Sequence, residues 1–301
     1  MRAGQLRNEF RIAGIVEFAE TEHGLVKAQV ALDGMTGELF LQGAQVTGWQ
    51  PDGQRPVVFT SSNAVFAPGK AIRGGIPIVF PWFGPHPTVP AAPQHGFART
   101  AEWRLAAVER GDPGEVTLTL SLVTDAGGSS LWPEAAAVTL AVTFGAELRL
   151  RLAVENRSGH PIAFEEALHS YFAVSDVAGV TVGGLEARAF IDKTARGERR
   201  PPANAPLSLN AETDSVYLDT PAVCIVDDPP WHRRITVAKT GGASTIVWNP
   251  WADKAAAMAD LGIDQWRGMI CVETGNVADN KVRLAVGETH RLTTRIAVAA
   301  G

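Results

Sequence analysis

The sequence predicts an all-β fold, an antiparallel sandwich with very few short helices. Three observations carry this: apolar and polar residues alternate with period two along much of the chain, 30 Gly and 19 Pro punctuate it, and helical patterning is confined to one short segment. Strands recurring between turn clusters imply sheets that pack face to face. By length, 301 residues would suffice for two domains, but all-β sandwiches often spend such a length on one. The expectation is a single domain over residues 1–301, because no repeat, heptad pattern or low-complexity tract divides the chain.

In chain order, the opening MRAGQLRNEF lacks the apolar core of a signal peptide. The most apolar stretch, Ile76 to Phe83, is short and carries Pro77 and Pro81, so no segment reads as a membrane span. In Val116 to Thr124 the residues Val116, Leu118, Leu120 and Leu122 alternate with Thr117, Thr119 and Ser121, which predicts a half-buried strand. Ala137 to Phe144 and Glu147 to Asn156 flank Gly145-Ala146 and predict an antiparallel hairpin. Glu198 to Pro206, with Arg199, Arg200, Pro201, Pro202 and Pro206, reads as a connecting loop with a solvated basic face. Asp253 to Leu261, after Asn249-Pro250 and before Gly262, predicts a short helix. Arg291 to Ala299 closes the chain as another alternating strand.

A formal charge of −5 gives no electrostatic footprint for nucleic acid or an acidic membrane surface. Cys224 and Cys271 lie far apart with no CxxC, which suggests a reducing, cytoplasmic compartment. The Asn156-Arg157-Ser158 sequon then reads as accidental. Dinucleotide, P-loop, serine-hydrolase and zincin motifs are missing, and the seven histidines show no metal-ligand spacing.

Four polar islands interrupt otherwise apolar sequence. In Ala71 to Pro85, Arg73 precedes Gly74 and Gly75, which permit a sharp turn or a close approach to a ligand, and Trp82 and Phe83 offer faces that can stack on sugar rings. The plain alternative is a core turn with Arg73 reaching solvent. Gln94 to Arg99 packs Gln94, His95 and Arg99 around Phe97; a guanidinium there could hold a phosphate through paired hydrogen bonds, or simply be solvated. In Ala167 to Phe172, His169 sits among apolar neighbours in an expected strand, where a hydrogen-bonded core histidine competes with a catalyst. In Met269 to Val277, Glu273 follows the apolar run Met269 to Val272, and a buried carboxylate must be either paired or put to use. His23, His86, His160, His232 and His290 read as solvated loop or turn residues.

As an ordered set these islands resemble the D-hexose-6-phosphate mutarotases, or glucose-6-phosphate 1-epimerases, of the aldose 1-epimerase superfamily. The matching segments are AIRGGIP at Ala71, PWFGP at Pro81, QHGFAR at Gln94, ALHSYF at Ala167, GLEARAFIDK at Gly184, ETDSVYL at Glu212 and CVETGNV at Cys271. The resemblance implies a galactose mutarotase-like β-supersandwich with no metal and no organic cofactor. Its partner would be a small-molecule sugar phosphate, and the chain a monomer. It also implies His169 as general acid and Glu273 as general base, facing each other across a sugar-sized hollow. Arg73, Gln94, Arg99 and Asp214 would contact the sugar phosphate, with His95 as a further ring-side partner. Three positions depart from the pattern: Thr274 replaces an expected Pro, Ser215 an Arg and Phe80 a Trp. Of these, Thr274 would loosen the placement of Glu273. Two other functions fit the same fold, a non-catalytic carbohydrate-binding module and a mutarotase for unphosphorylated aldoses.

Overall fold

The computed structural model describes residues 2–125 and 129–301. A helix, Ala3–Phe10, leads into a four-stranded meander formed by Val16–Glu20, Val26–Leu32, Met35–Phe40 and Gln45–Pro51. A nine-stranded sheet has at its centre Val116–Thr124, Ala136–Phe144, Leu148–Asn156 and Thr289–Ala300, each antiparallel to the next. An eight-stranded sheet is organised around Met269–Asn276, which pairs with Ser244–Asn249 on one side and with Glu166–Leu168 and Tyr171–Ala173 on the other.

The alternation seen in the sequence becomes rows of buried side chains. Leu118 stands opposite Val142, Val142 opposite Leu150, and Leu150 opposite Thr294, all fully buried. Each aliphatic side chain so buried contributes roughly 1.5–3 kcal/mol relative to exposure, before conformational entropy is set against it. Met269–Asn276 differs in kind, because all eight of its residues are buried. A strand covered on both faces cannot alternate, and this one carries Glu273 into the interior.

The hairpin and terminal strands fall within a residue or two of expectation, and three readings need correction. The expected helix at 253–261 is the shorter Trp251–Ala256. Beyond it the chain turns so that Leu261 enters the core, with Leu261 N–H donating to the Met258 carbonyl at 2.9 Å. The expected loop at 198–206 begins as a strand, Glu198–Arg200, paired with Phe190–Asp192. The N-terminal helix went unread because only Ala3 and Leu6 on it are buried.

Candidate active site

His169 lies in a break between strands, not within one. Leu168 pairs with Thr274 and Tyr171 with Cys271, so His169 and Ser170 stand opposite Glu273 and Val272. The break is pinned by His169 N–H donating to the Pro77 carbonyl (3.0 Å) and Val272 N–H donating to the Ser170 carbonyl (3.2 Å). Register alone therefore brings His169 Nε2 to 3.3 Å from Glu273 Oε1. The two groups are side by side, not on opposite sides of a hollow as expected. His169 is 6% and Glu273 1% exposed, and among the described residues His169 Nδ1 and Glu273 Oε2 have no hydrogen-bond partner.

These two residues border a cavity of about 220 Å³ whose wall also includes Gln94, His95, Tyr171, Lys193, Asp214 and Trp248. That is below the roughly 300–1,000 Å³ of pockets for drug-sized ligands, as suits a single small ring. Larger concavities exist, one of about 460 Å³ beside Phe40 and Phe66 and one of about 640 Å³ between Trp82 and Trp132. The first borders His23 and Glu22, 3.3 Å apart but both exposed, and neither holds a buried imidazole–carboxylate pair, so chemistry outweighs size in choosing between them.

The glycines in two of the polar islands serve backbone packing. At Gly75 (φ 69°) an added Cβ would lie 2.3 Å from the Val46 carbonyl oxygen, and at Gly96 (φ 75°) 1.9 Å from that of Phe80. The turn at Gly96 presents His95, itself at φ 63°. Gly84 N–H donates to His95 Nδ1 at 3.3 Å, which leaves the ring proton on Nε2. Burial, together with Arg99, Lys193 and Arg73, pushes His95 down to about 3, so it is a neutral donor.

Burial dominates the central pair as well. It lowers His169 well below the usual imidazole range, helped by His95, Arg99 and Arg73, and raises Glu273 well above the usual carboxylate range, helped by Asp214. Lys193 and Arg99 act the other way on Glu273. With one proton between them the pair is net neutral whichever partner holds it, and that is the state a buried site tolerates best. Asp214 is likewise raised by burial, with Lys193 and Lys254 opposing.

Of the residues expected from sequence, His169, Glu273, Gln94, His95 and Asp214 meet around this cavity. Arg73 and Arg99 are not among its lining residues, but each bonds one that is. Arg73 Nη1 donates to the Tyr171 hydroxyl and Arg99 Nη2 to the Gln94 carbonyl, at 3.1 and 2.7 Å. Arg73 Nε and Nη2 are both 3.1 Å from Asp260 Oδ2. Tyr171, Lys193, Trp248, Lys254 and Asp260 were not singled out. Tyr171 and Lys193 fall inside segments already quoted for the resemblance, whereas nothing local marks Trp248, Lys254 or Asp260. Thr274 does not interrupt its strand, which stays paired on both sides through Gly275.

The β-sandwich has a galactose mutarotase-like fold. A galactose mutarotase-like protein from Clostridium acetobutylicum shares the fold at 12% identity, with a TM-score of 0.74 over 95% of this chain and 98% of that one. The aldose 1-epimerase family matches residues 29–297, and the chain belongs to that family, whose members are isomerases. A protein of Cenchrus ciliaris with the provisional name glucose-6-phosphate 1-epimerase is 35% identical over 299 residues, covering 94% of this chain and 87% of its own. A Salmonella typhimurium protein with the same provisional name is 34% identical, covering 84% and 81%. The crystal structure of a protein provisionally described as a mutarotase, also from Salmonella typhimurium, superposes with a TM-score of 0.89 at 30% identity, covering 97% and 96%. Among the described residues no helix is long and apolar enough to cross a membrane.

Proposed function

We propose that this aldose epimerase interconverts the α and β anomers of hexose 6-phosphates, with His169 and Glu273 as its acid and base. The observation that carries the reading is their 3.3 Å contact at the edge of a cavity flanked by cationic side chains. The ring oxygen and the C1 hydroxyl of an aldopyranose are bonded to the same carbon, so the groups that serve them must be neighbours.

In the tautomer with the proton on His169, the Glu273 carboxylate takes the C1 hydroxyl proton while His169 protonates the ring oxygen. The ring opens, rotation about the C1–C2 bond presents the other aldehyde face, and reclosure returns both protons. The pair then holds the same single proton as at the start. Each positioned proton transfer contributes about 10²- to 10⁴-fold. Burial favours the tautomer with the proton on Glu273; Lys193 and Arg99 act the other way on the carboxylate, while Arg99 also opposes a proton on His169. Neutral His95, a donor through Nε2, and Asp214 are placed to orient ring hydroxyls.

Arg99 is the leading candidate for the phosphate. Its guanidinium is engaged by the Gln94 carbonyl, whereas all three nitrogens of Arg73 are within 3.1 Å of Tyr171 or Asp260. The test compares turnover of glucose 6-phosphate and glucose by the wild type and by Arg99→Ala. The expected result is a KM for the phosphorylated sugar raised by at least about tenfold, as for a lost charged hydrogen bond, with glucose little affected. Equal losses on both sugars would contradict a phosphate role.

A further inference from the structure

Among the described residues, no other residue but Glu273 hydrogen-bonds the His169 side chain, and Nδ1 has no side-chain partner. Its ring plane is instead set by aromatic neighbours. Tyr171 lies parallel to it, with centroids 4.9 Å apart and planes 11° apart, while His95 and Trp248 meet it edge-on at 5.6 and 6.1 Å. Tyr171 is itself held from behind, its hydroxyl accepting a hydrogen bond from Arg73, which is ion-paired with Asp260. A continuous chain thus runs from Asp260 through Arg73 and Tyr171 to the face of His169.

We propose that Tyr171 is a positioning residue for the general acid and that Arg73, besides any contact with substrate, acts on His169 through it. The inference rests on His169 acting in anomer exchange. A stacked ring fixes the plane in which the imidazole proton lies but leaves the imidazole free to exchange that proton. Losing this alignment costs turnover, because displacing a reacting group by about 1 Å can lower the rate by up to about 10²-fold.

The decisive experiment is a double-mutant cycle with Tyr171→Phe and Arg73→Gln, assayed for anomer exchange of glucose 6-phosphate and glucose. Tyr171→Phe keeps the stack and loses the tether, so kcat falls on the order of threefold. Arg73→Gln lowers kcat on both sugars, whatever it does to KM for the phosphorylated one. The double variant is no worse than Arg73→Gln alone, which is the signature of one pathway. Tyr171→Leu, which abolishes the stack, loses at least about tenfold in kcat. If Tyr171→Leu fails to fold, the cycle decides by itself.

A second readout does not depend on catalysis. The His169 ring resonances in the NMR spectrum, shifted by the Tyr171 ring face, should move or broaden in Arg73→Gln. Unchanged His169 resonances in Arg73→Gln, additive effects in the cycle, or a loss expressed only as KM for the phosphorylated sugar would overturn the inference. Absence of turnover in the wild type would instead count against the functional reading, and the resonances would still test the link.

Discussion

Glu166 and His169 lie three residues apart in the chain, yet each pairs with a different partner, and of the two glutamate–histidine pairs that result only the one at Glu273 borders the cavity of about 220 Å³. Glu273 meets His169 at 3.3 Å, and Glu166 meets His290 at 2.9 Å. Both carboxylates are essentially inaccessible. The Glu166 pair is sealed by Asn276, whose side-chain amide donates to Glu166 Oε1 at 2.9 Å and to the Gly241 carbonyl, tying two strands of one sheet to the neighbouring turn. His290 is lowered by burial but raised further by its hydrogen bond to and charge attraction from Glu166, so its net shift is upward. His169, surrounded by Arg73, Arg99 and His95, is shifted downward. The same two residue types thus occupy two settings: one carboxylate is shared with an amide, and the other, in the pair proposed as acid and base, lies beside a cavity among cationic side chains.

The largest effect that would sharpen this contrast is on turnover. His169→Asn should lower kcat by about 10²-fold or more, while thermal unfolding shows the fold retained. If His290→Asn loses as much, the contrast between the pairs is broken.

Stability should show the converse. Glu166→Ala strips His290 and Asn276 of their acceptor and should destabilise the protein by about 1–3 kcal/mol in denaturant unfolding. A loss no larger than that of an exposed carboxylate would contradict a structural role for this pair.

The pairs should also differ in their response to pH. Because His290 is raised on folding, its contribution to stability is fully present below about 6.5, the unfolded value, and is lost as pH rises through the raised value. The Tm difference between wild type and His290→Gln should therefore shrink as pH climbs from 6 through that range, and a widening gap would reverse the sign. For the active pair, a second proton must go onto an imidazole held below 6.5, so the acid limb of kcat/KM should lie below that pH. An acid limb at or above 6.5 would mean that burial does not govern His169.

These differences explain how much could be read from the sequence. The alternation in Val116–Thr124 survives because one face of that strand meets the core and the other does not, which is the condition under which period two appears. Met269–Asn276 gives no such signal, yet its unbroken burial is what made Glu273 conspicuous. His290 was misread as a solvated turn residue because its partner Glu166 lies more than a hundred positions away, on a strand of another sheet. Lys254 and Asp260 were invisible for the same reason. The two arginines were legible as a pair of cations, but the engagement of Arg73 with Asp260 and Tyr171, which separates their roles, depends on tertiary contacts.

The central claim is tested most directly by following α-to-β exchange of glucose 6-phosphate by polarimetry with wild type and with Glu273→Gln, which keeps the shape of the side chain and removes the base. Exchange well above the buffer rate with wild type, and a loss of about 10²- to 10⁴-fold in a folded Glu273→Gln, is the result expected of a paired acid and base. Wild-type exchange no faster than buffer, or a Glu273→Gln variant as fast as wild type, would contradict it.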